Sequence, residues 1–233
     1  MPFGVDEAGK GPVLGSMFAA AVHLEDPSLD ALPEGIADSK RLAPARREEL
    51  AATIRADDRI GVGVAEITPE LIDDPETDMN SLTVQAHAEA IAAAVPDVAA
   101  PADKITGLCD ACDTDADRFA RRVTDACAAA LGLEHDCETD APLEIDARHG
   151  ADDDSTLVGA ASIVAKVERD AHIEAIGEEY GNVGSGYPSD PTTRDFLESY
   201  VDEHGELPPF ARESWSTCED VLAEAQQTGL EQF

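Results

Sequence analysis

Phe3-Gly-Val-Asp-Glu-Ala-Gly-Lys-Gly-Pro12 is a short apolar run that ends in two adjacent carboxylates, Asp6 and Glu7, and passes into a glycine-rich turn. Two adjacent carboxylates at a strand end are common and by themselves usually carry no function; the glycines that follow them point to a ligand. Outward from this stretch, Leu14 to Leu24 is apolar and predicts a second strand, and the alternating Ile60 to Ile67 predicts a third. Pro44 introduces a helix over 44–56. Residues 69–78 read as acidic loop or short helix, and the alanine-rich 82–95 as helix. Lys104 to Cys109 predicts a fourth strand. The stretch 115–131, with Phe119, Val123, Cys127 and Leu131 at helical spacing, predicts an amphipathic helix. Leu143 to Ala147 predicts a fifth strand, 157–180 a long helix, and 192–204 and 215–226 two more. Strands alternating with helices, with one strand pair lacking a helix between, predict a mixed α/β sheet flanked by helices. The chain is expected to divide into a core over 1–180, a helical extension over 181–226 and a terminal peptide over 227–233.

Asp110, in Gly107-Leu-Cys-Asp-Ala-Cys-Asp113, stands at another strand end. Asp152, in His149-Gly-Ala-Asp152, opens the long helical region, where helix capping is the competing explanation. Asp113, Asp115 and Asp117 read as caps and first-turn acids of the following helix. Gly9 and Gly11 permit positive φ and close approach of backbone N–H groups to a ligand. Neighbouring strand residues point to opposite faces, so Asp6 and Glu7 would share one site only if the chain bends between strand and loop. Carboxylates gathered from separate segments repel unless a hard divalent cation compensates them.

Fifty acidic residues face sixteen basic ones across 233 positions, for a net charge of −34. Such a chain repels nucleic acid in ordinary buffer. In about 1 M salt the Debye length is only about 3 Å, so remote charges no longer repel. The acids are interleaved with apolar residues, which make up 43% of the chain. That pattern describes a folded protein of a molar-salt cytoplasm better than a disordered acidic tail. Only four lysines occur, and Lys10, Lys40 and Lys166 stand inside motifs. No run approaches the roughly 20 apolar residues of a membrane helix, and no signal segment opens the chain. Five cysteines at irregular spacing argue against a disulfide framework. The protein is therefore expected to be soluble, cytoplasmic and monomeric.

Gly4-Val-Asp-Glu-Ala-Gly-Lys-Gly-Pro12 resembles the opening motif of the ribonuclease HII family. Asp38-Ser-Lys40, Asn80-Ser-Leu82, Asp110-Ala-Cys-Asp113, His149-Gly-Ala-Asp152, Ala160-Ala-Ser-Ile-Val-Ala-Lys166 and Gly184-Ser-Gly-Tyr-Pro-Ser-Asp190 match later motifs in order. The resemblance runs from about Phe3 to Trp215 and is strongest to the archaeal branch. It implies a ribonuclease H-like mixed sheet with a C-terminal helical extension. It implies that Asp6, Glu7, Asp110 and Asp152 are catalytic and bind Mg²⁺ or Mn²⁺, two ions in the working complex. It further implies that Gly9, Lys10 and Gly11 contact a ribonucleotide 2′-hydroxyl and that Tyr187 packs near the RNA–DNA junction sugar. Ser39, Lys40, Asn80, Ser162 and Lys166 would lie near the substrate backbone. The implied reaction is cleavage 5′ to a ribonucleotide, in RNA–DNA hybrids or in DNA with embedded ribonucleotides, leaving a 5′-phosphate. Lys10 departs from the family's more frequent arginine, and lysine does not reproduce a planar bidentate fork.

Gln227, Leu230 and Phe233 fit Gln-x-x-Leu-x-x-Phe at the carboxyl end, which resembles the peptide that binds the replication sliding clamp. Cys109-x-x-Cys112 with His135 and Cys137 has poor spacing for zinc, and buried thiols are the default. His149 is a candidate substrate contact or proton shuttle, against the reading of an exposed loop histidine. Trp215 is expected to anchor the C-terminal helices. Two other functions compete. An acidic, non-catalytic chelator or mask for a basic partner explains the charge but not the ordered motifs. A sister ribonuclease H type sometimes pairs glycines with lysine in its first loop, but usually carries an extra N-terminal domain.

Overall fold

The computed structural model describes residues 2–25, 31–36, 42–95, 105–132 and 143–231, the side chains of 228–231 aside. Five strands, β1 (Pro2–Ala8), β2 (Met17–Leu24), β3 (Ile60–Ile67), β4 (Ile105–Asp110) and β5 (Leu143–Arg148), form one sheet in the order β3-β2-β1-β4-β5. The β1–β2 pair is antiparallel, whereas β1–β4 and β4–β5 are parallel. This is the mixed sheet expected from a strand pair followed by strand–helix alternation. The helices are α1 (Pro44–Ala56), α2 (Pro69–Ile72), α3 (Met79–Ala94), α4 (Ala116–Ala130), α5 (Ala151–Asp154), α6 (Thr156–Tyr180), α7 (Pro191–His204) and α8 (Ser216–Glu231). The second strand starts at Met17, three residues later than its apolar pattern suggests. Leu14 instead makes an isolated bridge to Ala211. The last helix continues to Glu231, past the expected end at 226.

The chain forms two compact units whose segments interleave in sequence. The first holds residues 1–8, 18–66 and 80–168; the second holds 9–17, 67–79 and 169–233. In the first unit, Ala20, Val22 and Leu24 of β2 pack with Leu50 and Ile54 of α1 and with Leu157, Ile163 and Val164 of α6. Small residues bring α3 down onto β3: a Cβ on Gly63 would lie 2.1 Å from the Ala90 carbonyl oxygen. The alanine-rich face of α3 and the Ile60-Gly-Val-Gly-Val64 pattern are thus two halves of one close contact. On α4, Phe119, Val123 and Cys127 are buried as their spacing predicts.

In the second unit, Val13, Leu14, Ile173, Val183, Leu197, Val201, Ala211 and Val221 form a core. Phe210 packs against both Tyr180 and Phe196 beside it, edge to face with Tyr180 at 4.7 Å. Asp190 caps α7 by accepting the Thr192 N–H at 3.0 Å, and Pro191 follows at the first helical position. No described helix is long and apolar enough to cross a membrane.

Candidate active site

Parallel pairing aligns the ends of three strands. Val5 faces Cys109 across β1–β4, so Asp6 and Asp110 come next on their strands. Asp110 in turn faces Arg148, the last residue of β5. After β5, His149 and a left-handed Gly150 turn the chain into the single-turn helix α5, which carries Asp152. Gly150, not Asp152, occupies the capping position. The helix-cap explanation of Asp152 therefore fails, and its carboxylate is buried at 3% exposure.

The turn is stitched to β4. Asp110 Oδ1 accepts the Ala151 N–H at 2.8 Å, and the Ala111 N–H donates to the Arg148 carbonyl at 2.9 Å. His149 Nδ1 lies 3.1 Å from the Ala111 carbonyl. A carbonyl only accepts, so Nδ1 of this exposed ring carries the hydrogen.

Asp6 and Glu7 do not meet through a bend. β1 stays paired with β2 as far as Ala8, with Asp6 opposite Ala20 and Glu7 opposite Ala19, so the pleat sends the two carboxylates to opposite faces. Asp6, at 5% exposure, hydrogen-bonds Ser162 on α6. Lys166 Nζ donates to Ser162 Oγ at 2.6 Å, which leaves the Ser162 hydroxyl hydrogen for Asp6. On the other face, Glu7 Oε2 lies 2.8 Å from Nε2 of His87 on α3. An ionised carboxylate only accepts, so Nε2 of His87 carries the hydrogen. Among the described residues Nδ1 of this fully buried ring has no hydrogen-bond partner. Phe119 of α4 meets the ring edge to face at 5.2 Å.

The four carboxylates are coupled by charge. Burial first, then Glu7 and Asp110, push the Asp6 carboxyl well above its ordinary pKa, while Ser162 and Lys166 oppose the shift. Burial also raises Asp110, with Asp152 and Glu7 adding to it and the Ala151 and Gly150 N–H groups opposing it. Among the described residues no group of three or more His, Cys, Asp or Glu side chains is arranged to hold a metal ion. The chemistry of the donors nonetheless fits a hard divalent cation. All four are carboxylates, and a cation would relieve the burial and repulsion that raise Asp6 and Asp110.

The expected substrate contacts fall into separate places. Ser162 is fully buried as the bridge between Lys166 and Asp6. Asn80 is half-buried in the first turn of α3. Ser39 and Lys40 lie outside the described residues, as do His135, Cys137 and Phe233. Gln227 is exposed on α8, whose backbone also includes Leu230. In the second unit, Gly9 takes φ +90°, but Gly11 does not need a positive φ. Tyr187 is 39% exposed, with the Arg169 guanidinium 5.0 Å from its ring centre. Trp215 packs against the second unit's core, and its Nε1 donates to the Gly11 carbonyl at 3.4 Å. Cys109 is a buried thiol, and burial pushes Cys127 up to about 12, so neither is a thiolate at neutral pH. Asp115 caps α4 by accepting the Arg118 N–H at 2.9 Å. Arg118 holds the Asp113 carboxyl at about 2.

A family model described as Ribonuclease HII matches residues 3–218. The chain belongs to the ribonuclease HII family. It is 57% identical to a ribonuclease HII of Haloarcula marismortui over 233 residues, all of both chains. Ribonuclease H2 from Pyrococcus horikoshii superposes with a TM-score of 0.79 at 33% identity, covering 97% of this chain and 99% of that one. The ribonuclease HII of Archaeoglobus fulgidus, solved in complex with PCNA, gives 0.76 at 34% identity over 95% and 96%. The protein is accordingly a nuclease of the ribonuclease H class. Sequence reading missed His87 and Arg212, both fully buried polar side chains. The one local hint for His87 was a histidine interrupting the alanine stripe of its helix; Arg212 had none.

Proposed function

We propose that this ribonuclease HII family member hydrolyses the phosphodiester bond 5′ to a ribonucleotide, in RNA–DNA hybrids or in duplex DNA with an embedded ribonucleotide, leaving a 5′-phosphate. The observation that carries the reading is the charge-coupled set of Asp6, Glu7, Asp110 and Asp152 at the ends of three adjacent strands, in a family of ribonucleases H. These four residues would hold Mg²⁺ or Mn²⁺, two ions in the working complex; Asp6 and Glu7 leave β1 on opposite faces, but at the strand end the charge of Glu7 still acts on both Asp6 and Asp110. Bound divalent ions supply an activated water and neutralise charge on the attacking and leaving oxygens.

The chain's own residues prepare that chemistry. Ser162 and Lys166 hold Asp6, His87 holds Glu7, and the Ala151 N–H holds Asp110. Gly9, Lys10 and Gly11, which follow the strand in sequence, present backbone to the 2′-hydroxyl that distinguishes RNA from DNA. Tyr187 packs against the sugar at the junction, while Ser39, Lys40, Asn80 and Lys166 line the backbone. Ser162 acts through Asp6 and not on the substrate. Molar salt removes the long-range repulsion between a chain of charge −34 and the phosphates. The enzyme acts in the cytoplasm as a monomer. The terminal Gln227, Leu230 and Phe233 bind the sliding clamp, a reading supported by the Archaeoglobus fulgidus relative solved with PCNA.

The test is cleavage, in molar KCl with Mg²⁺ or Mn²⁺, of a DNA duplex holding one ribonucleotide, beside a long hybrid and an all-DNA duplex. A cut 5′ to the ribonucleotide, abolished by EDTA, is expected. Cutting of the long hybrid alone would favour the sister ribonuclease H type. No cutting by folded protein would favour the acidic binding protein.

A further inference from the structure

Arg212 is fully buried, yet among the described residues it is bonded to no carboxylate. Its guanidinium donates only to backbone: Nε to the Gly15 carbonyl at 2.9 Å, Nη1 to Lys10 at 3.0 Å and Nη2 to Gly9 at 2.6 Å. The Trp215 ring lies 5.1 Å from the guanidinium carbon, and its Nε1 reaches the next carbonyl, that of Gly11. All these residues belong to the second unit. Burying a cation without a counter-ion is costly unless its donors are satisfied. Among the described residues the fork of Arg212 bonds this loop alone.

The consequence follows from the planarity of the peptide. In a trans peptide the carbonyl and the N–H of one unit point opposite ways, and the described chain has no cis bond. Turning the Gly9 and Lys10 carbonyls onto Arg212 turns the N–H groups of Lys10 and Gly11 away from it. The same rule is visible at Gly15, whose carbonyl meets Arg212 while the Ser16 N–H beyond it donates to His172 Nε2 at 3.2 Å. A buried charge is also screened far less by salt than an exposed one, so this cation keeps its field behind the loop in molar KCl. Burial, and then Arg169, lower its pKa only to about 10, so it remains charged at neutral pH.

We infer that Arg212 is the positioning residue for ribose recognition: it sets the orientation of the Lys10 and Gly11 N–H groups and thereby the preference for a 2′-hydroxyl. The inference rests on the proposal that this loop reads the ribose.

The experiment measures Kd by fluorescence anisotropy in molar KCl with Ca²⁺. A duplex with one ribonucleotide is compared with its all-DNA twin, for the wild type, Arg212→Lys and Trp215→Phe. Lysine keeps the charge but not the three-way fork. One well-placed hydrogen bond is worth about tenfold at most in binding. The wild-type preference should be of that order and fall towards one in Arg212→Lys, with all-DNA affinity unchanged. Trp215→Phe should retain most of the preference. The Gly11 amide resonance in a ¹H–¹⁵N spectrum should shift in Arg212→Lys while those of α7 stay in place; should that variant not fold, the same reading at Gly11 is taken on Arg212→Gln. A wild-type ratio of one would overturn the loop reading and this inference with it. A wild-type preference kept intact in folded Arg212→Lys, with an unshifted Gly11 amide resonance, would overturn the inference alone.

Discussion

Replacing His87 by phenylalanine isolates one contact of the acidic site. An aromatic ring, somewhat larger, and its edge-to-face contact with Phe119 at 5.2 Å are kept, while the 2.8 Å bond to Glu7 is removed. A hydrogen bond to a charged acceptor contributes roughly 1.5–3 kcal/mol. Phenylalanine also removes the unpartnered Nδ1 acceptor, which offsets part of that loss. A net destabilisation of about 1–2 kcal/mol corresponds to a fall of roughly 2–8 °C in Tm for a domain of this size. Because both side chains are largely buried, this shift should persist in molar KCl, where exposed pairs such as Arg59–Asp57 are screened. Glu7 would lose its fixed orientation, and outer-shell losses of this kind cost about 10–100-fold in activity or metal affinity. Thermal unfolding in EDTA, Mn²⁺ titration calorimetry and single-turnover cleavage measure the three effects. His87→Gln, which keeps an N–H, should recover part of each. A His87→Phe protein with wild-type Mn²⁺ affinity and cleavage rate would refute the claim that His87 orients Glu7.

Asp6→Asn should abolish cleavage and, in EDTA, raise the stability of the fold at neutral pH. The sign follows from a folded-state pKa raised above the unfolded value: stability from this group is greatest below the unfolded pKa and is lost as pH rises through the folded one. The variant should therefore flatten the decline in Tm between mildly acidic and neutral pH; an unchanged slope would contradict the burial assigned to Asp6. Gly63→Ala places a Cβ 2.1 Å from the Ala90 carbonyl, backbone that moves only with the whole of α3, and should cost roughly 3 kcal/mol or more; a wild-type Tm would show that the helix does not lie so close. Deleting 227–233 should abolish binding to a sliding clamp in surface plasmon resonance while leaving hydrolysis and Tm unchanged; unaltered clamp affinity would remove Gln227, Leu230 and Phe233 from that role.

Much of this protein is legible in one dimension because its information is local. The apolar period of 115–131 predicted α4, Pro44 marked the start of α1, and the alternation of 60–67 marked β3. Seven ordered motifs were enough to indicate the family, and three of them put carboxylates at strand ends because strand, acid and turn are contiguous in the chain. Where Asp6 and Glu7 point was harder to read. The pleat alone sends them apart, the glycines after them suggested a bend, and pairing of β1 with β2 through Ala8 decided for the pleat. Leu14 was drawn out of the second strand by Ala211, almost two hundred residues away along the chain.

The sequence by itself therefore determined the family, the order of elements and which carboxylates are candidates, since each depends on residues a few positions apart. Only the tertiary structure decided which side chains hold that machinery. His87 meets Glu7 across a separation of 80 residues, and Arg212 meets Gly9 across 203. No local pattern marks Arg212, and only a break in an alanine stripe marks His87, because the work of each is a hydrogen bond whose partner becomes a neighbour only when the chain folds.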